Sequence, residues 1–495
     1  MQSTALAQLL GLDGVQVDLA EREDDGSWTL HVLSAAGQQG CCPDCGQTTT
    51  RVKEPAVHRF THVVLVAVRV VWHKLRLRCV NAACDRQGFA EAGPVRKGAR
   101  IGEQARRVMG HLVGDWLVAV RRVAAGVGVS WHSVHNAFTA VAARAGIHCG
   151  ATAGRYRPAA GQASAQPGAQ GGNGQGGQAA VPTPPGRQAA AALPPVHVLG
   201  IDEHRRGRPR YRRDPHSGSW VAEVDRWQTV FVDAGGGHGL LGQVEGRTRT
   251  DAVGWVAAQD PAWRAGIGYV SIDMSTGYRA AVTEALPHAR LVVDLFHVVQ
   301  LATKAVDEVR RRVTYARYGR RGRRGDPEYA IRNLLRRGRE RLSRRSRHQL
   351  LCTLADLGEA GRQIGAAWRA KELVRDLARL CPGRAGQAPS RTQVATALEN
   401  LFTFAATIAQ AIPEVQTLAE TISTWRAEIA RGVLTGYTNA AAEGTNRLVK
   451  LVYRTAFGFT NVTNQQRRSR YTASRSTRPE WLPTVTATPS PSVVT

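Results

Sequence analysis

Alternating apolar and polar positions open the chain. Trp28-Thr-Leu-His-Val-Leu reads as a strand with one buried face, and the β-branched run from Val63 to Arg78 as a longer one. Residues up to about Phe89 are therefore expected to form a small strand-rich module. From Ile101 to Ala145 apolar positions recur at helical spacing, with Gly126 and Gly128 as the main breakers. Between about Gly150 and Pro195 the chain is almost wholly Gly, Ala, Gln and Pro. Such a segment has too little apolar surface to offset its ordering entropy, and it reads as a disordered linker.

Beyond the linker the pattern is α/β. Val196-His-Val-Leu-Gly-Ile ends in a carboxylate, Asp202; Trp227 to Asp233 and Leu240 to Val244 read as further strands, and Asp251 to Ala265 as a helix. Ile267-Gly-Tyr-Val-Ser-Ile and Ala289-Arg-Leu-Val-Val follow as buried strands, each ending in an aspartate. Three strands able to pair antiparallel, a helix, a strand, a helix and a strand is the order expected of a ribonuclease-H-like core. From Val298 to about Arg431 the pattern is helical and Arg-rich, as in an insertion, and the Ser/Thr/Pro-rich tail after about Thr472 reads as disordered.

The expected organisation is thus a multidomain α/β protein. It comprises an N-terminal module (1–95), a helical domain (96–149), the linker (150–195), the first part of the core (196–297), the helical insertion (298–431), a returning core helix (432–471) and the tail (472–495).

Charge narrows the partner. Over 495 residues, 66 Lys and Arg against 39 Asp and Glu give a formal net charge of +27, which favours a polyanion, nucleic acid before an anionic membrane surface. No apolar run is long enough to span a bilayer, and the start lacks the basic flank and apolar core of a signal peptide, so a cytoplasmic, nucleoid-associated protein is expected.

Eight cysteines are too few for a disulfide scaffold in a chain of this length, and five of them lie between Cys41 and Cys84. Cys42-Pro-Asp-Cys45 and Cys79-Val-Asn-Ala-Ala-Cys84 supply two pairs that suit a tetrahedral, structural zinc site. Cys41 is a spare neighbour. In the helical domain, Arg121 to Phe138 shows a helix broken by glycine, a short turn and Ser130 placed to cap a second helix, the layout of a helix-turn-helix. In that layout Trp131, His132, Ser133, His135 and Asn136 are the candidates for DNA contact.

Phosphodiester cleavage needs stabilisation of both the attacking and the leaving oxygen, which carboxylates achieve by holding two Mg²⁺ (or Mn²⁺) ions about 3.5–4 Å apart. Asp202 and Asp273 follow predicted strands, and strand ends on adjacent strands can converge on such ions. Glu203 and Asp294 compete with them, Asp294 either as the second ligand or beside the site with His297. Glu443 falls on a predicted helix with Asn446, Arg447 and Lys450 along one face and Asn439 placed to cap it. On pattern alone that face is an ordinary solvated one.

Four segments together resemble one bacterial family. Gly200-Ile-Asp-Glu-His, Ser271-Ile-Asp-Met-Ser-Thr-Gly-Tyr, Val293-Asp-Leu-Phe-His-Val-Val and Ala442-Glu-Gly-Thr-Asn-Arg-Leu-Val-Lys are similar, in order, to blocks of the insertion-sequence transposases of the ISL-three family. The cysteine module and helix-turn-helix resemble that family too. The resemblance implies a DDE core with a helical insertion, cleavage of double-stranded DNA at terminal inverted repeats, and strand transfer. It matches Asp202, Asp273 and Glu443 to the metal-binding triad, and Asp294 and His297 to a further block. Arg310-Arg-Arg and Arg320-Arg-Gly-Arg-Arg of the insertion are expected on phosphates, as are Arg447 and Lys450, and action on two DNA ends implies a dimer or higher assembly.

Overall fold

The computed structural model describes residues 14–147, 193–408 and 411–474, except positions 26, 36, 38, 64–66, 94, 96 and 97, together with Ala7, Leu10 and Leu12. The Gly/Ala/Gln/Pro segment, apart from its last residues, and the tail from residue 475 lie outside the described residues. The chain divides into two compact units: residues 1–149 with 449–495, and residues 150–448.

In the first unit, β1 (Val15–Arg22), β2 (Trp28–Ser34), β3 (Gly40–Cys41), β4 (Thr48–Thr49), β5 (Val52–Val63), β6 (Ala67–Leu77) and β7 (Phe89–Ala90) precede three helices. The main sheet runs β1-β2-β6-β5, with β7 on β6, and β2 and β6 parallel. Its alternation buries Val15, Val17, Leu30, Val32, Phe60, Val70 and Trp72 in one core. The expected single run from Val63 to Arg78 is instead the second arm of an antiparallel pair whose first arm begins at Val52. The pattern hid that arm because Lys53, Glu54, His58 and Arg59 place charge on it.

Helices α1 (Glu103–Gly114), α2 (Val120–Val127) and α3 (Trp131–Arg144) enclose Met109, Val113, Val123, Val134, Phe138 and Val141. Helix α2 ends on Gly128 in the left-handed conformation (φ +71°), and the Ser130 hydroxyl accepts from the Ser133 amide to start α3.

The second unit is built on a five-stranded sheet. Its strands are β8 (Val198–Arg205), β9 (Arg210–Arg213), β10 (Trp220–Val224), β11 (Trp227–Asp233) and β12 (Leu240–Glu245), then β13 (Tyr269–Ile272) and β14 (Arg290–Val293), with β9 and β10 forming a separate ribbon. The order is β12-β11-β8-β13-β14, antiparallel on the β11–β12 side and parallel from β8 to β14. Between β12 and β13 the expected single helix is two, α4 (Arg249–Ala257) and α5 (Pro261–Ala265), because Asp260 caps a new helix and Pro261 cannot continue the old one. Helix α6 (Thr276–Ala285) links β13 to β14.

From Leu295 the chain is helical: α7 (Leu295–Tyr318), α8 (Pro327–Ala330), α9 (Arg332–Arg336), α10 (Arg344–Asp356), α11 (Glu359–Arg379), α12 (Pro382–Ala385), α13 (Arg391–Ile408), α14 (Pro413–Thr424) and α15 (Arg426–Thr435). Helix α15 returns against β14, where a Cβ on Gly432 would stand 2.8 Å from the Val293 carbonyl oxygen, so only glycine permits the approach. Helix α16 (Ala440–Thr455) follows, then α17 (Val462–Ala473). Residues 462–471, expected with the returning core helix, pack instead on the N-terminal helices. Tyr471 is buried among them and sits so close to Gly114 that a Cβ there would lie 2.3 Å from its ring.

Candidate active site

Register sets the geometry of the aspartates. Ser271 of β13 pairs with Gly200 of β8, the last shared pair, and continuing that register sets Asp273, just past the end of β13, opposite Asp202. Ile272 pairs with Val293 of β14, which likewise sets Asp273 level with Asp294. Three aspartates thus lie in a row across neighbouring strands, at the carboxyl end of the parallel part of the sheet. Asp202 does not follow its strand as expected: β8 continues to Arg205 because β11 pairs with it throughout, while β13 pairs with it only as far as Gly200.

Helix α16 meets this row. Asn446, 4% exposed, donates from Nδ2 to Asp202 Oδ2 at 2.6 Å, and the Glu203 amide donates to Asp202 Oδ1 at 2.7 Å. Asn439, expected as a helix cap, is 2% exposed and donates to the Ile201 carbonyl at 3.2 Å. A Cβ on Gly200 would stand 2.9 Å from Asn439 Oδ1 and 2.7 Å from Val232, so Gly200 makes room for this contact. Glu443, in the first turn of α16, is part-exposed and pairs with Arg447 at 2.7 Å. Asn446 therefore turns inward, away from the common solvated face expected for it with Arg447 and Lys450, both of which are exposed.

Asp273 and Asp294 differ in their surroundings. His297 Nε2 lies 3.1 Å from Asp273 Oδ1. Asp294 is 4% exposed and caps α7, accepting from the Phe296 amide at 3.1 Å. Burial raises the Asp273 carboxyl to about 6; His297 opposes the rise, while Asp202 and Asp294 add to it. Asp294 and Glu203 are also raised, in both cases chiefly by burial. Glu203 faces Tyr278, a ring 2% exposed whose hydroxyl shares a 3.0 Å hydrogen bond with Thr229. A cleft of about 730 Å³ opens beside Asp273 and His297, with Lys304, Arg311 and Arg336 on its wall.

This row of oxygen donors suits a hard divalent cation, since mutual repulsion and burial have already raised the carboxyls that such a cation would compensate. No three of the carboxylates come within 4.8 Å of one another among the described residues, and Glu443 is held on Arg447.

The cysteines are tighter. Cys42, Cys45, Cys79 and Cys84 have sulfurs all within 4.8 Å of one another, with Cys42–Cys84 at 3.9 Å and Cys45–Cys79 at 3.6 Å. A tetrahedron with zinc–sulfur bonds of about 2.3 Å has sulfurs about 3.8 Å apart, so the donor set fits zinc. Gly46 turns the knuckle in the left-handed conformation (φ +73°). A hydrogen bond from the Gln47 amide lowers the Cys45 thiol to about 7. On Cys79 the Asn81 amide pulls the other way, but burial and the neighbouring thiols raise it to about 12.

On α3, Trp131, His132 and Asn136 are exposed, His135 stacks on Trp131 at 4.8 Å between centroids, and Ser133 is occupied by the cap. The arginine runs of the insertion divide. Arg310 is buried on Asp307, Arg312 pairs with Glu414 and Arg320 with Asp326, so these three hold the insertion together rather than standing free for phosphates; Arg311, Arg321, Arg323 and Arg324 are exposed. The sequence reading also missed the β9–β10 ribbon. Its Arg210, Arg212 and Arg213 are exposed, as are Tyr211 and Trp220, the latter at 71%.

Among the described residues, no helix is long and apolar enough to cross a membrane. A search of curated proteins returns no match. Among solved structures, the chain is similar to the Drosophila P element transposase in its strand transfer complex. That similarity has 10% identity and a TM-score of 0.31, and covers 57% of this chain and 77% of that one. A family model described as transposase, of the ISL-three DDE type, matches residues 199–469, from β8 through α17. That match spans more than half of the 495 residues, and the chain belongs to the ISL-three family of DDE transposases.

Proposed function

We propose that this DNA transposase cuts and rejoins strands at the terminal inverted repeats of its element, in a ribonuclease-H-like core where Asp202, Asp273 and Glu443 hold two Mg²⁺ or Mn²⁺ ions. The observation that carries the reading is the parallel β8–β13 register, which continues to Asp202 and Asp273 just past its last pair, with Asn446 of the Glu443 helix bonded to Asp202. The β12-β11-β8-β13-β14 order supports the fold, since it sets three antiparallel strands beside two parallel ones. When bound, the ions supply the charge that stabilises the attacking and leaving oxygens of the phosphodiester.

The chain's own groups prepare that site. Asn446 and the Glu203 amide fix the Asp202 carboxylate, and Asn439 ties the start of α16 to β8. Glu443 joins the two aspartates by exchanging its pair with Arg447, which frees a guanidinium for a phosphate. Asp294 caps α7 and thereby holds His297 beside Asp273, an accessory role rather than that of the second ligand.

Zinc held by Cys42, Cys45, Cys79 and Cys84 stabilises the N-terminal module, and four thiolates leave it no open position for catalysis. Helices α2 and α3 act as a helix-turn-helix on the element ends through Trp131, His132, His135 and Asn136. Arg210, Arg212 and Arg213 of the ribbon add positive charge on the connection between β8 and β11. Because two DNA ends are joined, the active form is a dimer or larger on DNA.

Incubating labelled element ends with Mg²⁺ tests the reading. Cleavage followed by joining to a target supports it; binding without cleavage, or hydrolysis without joining, overturns it.

A further inference from the structure

The loop from Ala456 to Asn461 folds over α2 and the start of α3 and closes a cavity of about 590 Å³, within the size range of small-ligand sites. One of its walls holds a buried charge. Arg468 is 2% exposed; its Nη2 donates to the Val118 carbonyl at 3.1 Å, its Nε has no acceptor, and no carboxylate pairs with it among the described residues. Burial draws its pKa down to about 10, so the guanidinium stays charged while lacking a counterion. Arg121 and Arg122 are exposed at the same cavity.

Flat aromatic surfaces face these cations. Trp131 and His135 stack with planes 16° apart, forming a plate on one side. Phe457 is 75% exposed, with the Arg122 guanidinium 5.4 Å from its ring centre, and it adopts φ +58°, a left-handed conformation rare for a bulky residue. Backbone strain of this kind concentrates at ligand clamps.

An inorganic anion would use the arginines and leave the aromatic surfaces idle, and an apolar ligand would leave a buried cation unpaired. A nucleotide uses both, with its base against an aromatic face and its phosphate on the guanidinium groups. We propose that this cavity receives one nucleotide of the bound DNA, turned out of the helical stack. The inference rests on the reading of α2 and α3 as a DNA-binding unit, and it adds a site that reads the DNA by unstacking rather than by groove contact.

An unpaired nucleotide is cheaper to evert than a paired one, which gives a test that needs no knowledge of the element ends. The full-length protein, without added Mg²⁺, is titrated into a fluorescent 20-base-pair duplex carrying one extra unpaired thymine, and into the same duplex fully paired. About tenfold tighter binding of the bulged duplex is expected. Phe457→Ala, an exposed substitution that leaves the core intact, and Arg468→Gln should each bring that ratio close to one. Equal binding of the two duplexes by the wild type overturns this inference alone. Failure to bind either overturns the DNA-binding reading with it. A preference that survives Phe457→Ala overturns the assignment to this cavity.

Discussion

Asn446 donates a 2.6 Å hydrogen bond to Asp202 across 244 positions of sequence, and it is buried where it does so. A neutral amide in that place orients the carboxylate without competing with it for a cation. Asn446→Ala is expected to lower Mg²⁺-dependent cleavage about 10–100-fold, the usual cost of losing a group that orients a metal ligand. Asn446→Asp should be worse, because it sets a like charge against Asp202. Cleavage rates over a Mg²⁺ titration check this, and wild-type rates for Asn446→Ala would remove the assigned role.

Asp273 carries a cost that can be measured without DNA. Its folded carboxyl keeps a proton up to about pH 6, whereas the ordinary value is 3.8, so this group's contribution to stability falls as pH rises from about 4 to 6 and is constant above. With a side chain about one-third exposed, the full effect is on the order of 1–2 kcal/mol. Asp273→Asn should therefore raise the melting temperature of the Mg²⁺-free protein at pH 7.5, leave it unchanged near pH 4, and abolish cleavage. Added Mg²⁺ should narrow the gap by stabilising only the wild type.

Asp294 is assigned to a cap, and caps have interchangeable residues. Asp294→Ser is expected to keep cleavage within a few-fold of wild type, while Asp294→Ala costs about 1 kcal/mol of stability. Loss of all cleavage in Asp294→Ser, with the fold intact, would make it a metal ligand in place of Asp273.

The four thiolates predict one zinc per chain by metal analysis. Cys45→Ser or Cys84→Ser should release it and unfold the N-terminal module, seen as protease cleavage before residue 100, with the thermal transition of residues 193–448 unchanged.

What could be read from the sequence follows from how local each signal is. Strands β8, β13 and β14 announce themselves as short apolar runs ending near aspartates, and Gly128 with Ser130 marks the turn between α2 and α3 within a few residues. Asn439 and Asn446 were legible as a cap and as one position of a helix face, but not as buried contacts, because their partners, Ile201 and Asp202, lie more than 200 residues away and an asparagine on a helix carries no local mark of burial. The β9–β10 ribbon was hidden because arginines occupy positions where alternation needs apolar residues. Helix α17 was grouped with the returning core helix, since what holds it elsewhere is Tyr471 docking against Gly114 and Arg468 reaching Val118, partners more than 300 residues away. The ion pairs of Arg310, Arg312 and Arg320 likewise depend on acidic partners that composition cannot assign.

The central claim is that Asp202, Asp273 and Glu443 act as one metal-holding set. Its most direct measurement is Mg²⁺-dependent cleavage of labelled element ends by folded Asp202→Ala, Asp273→Ala and Glu443→Ala proteins. Each should still bind the DNA and each should lose cleavage by at least about a thousandfold, whereas substantial Mg²⁺-dependent cleavage by any one of the three would contradict the triad.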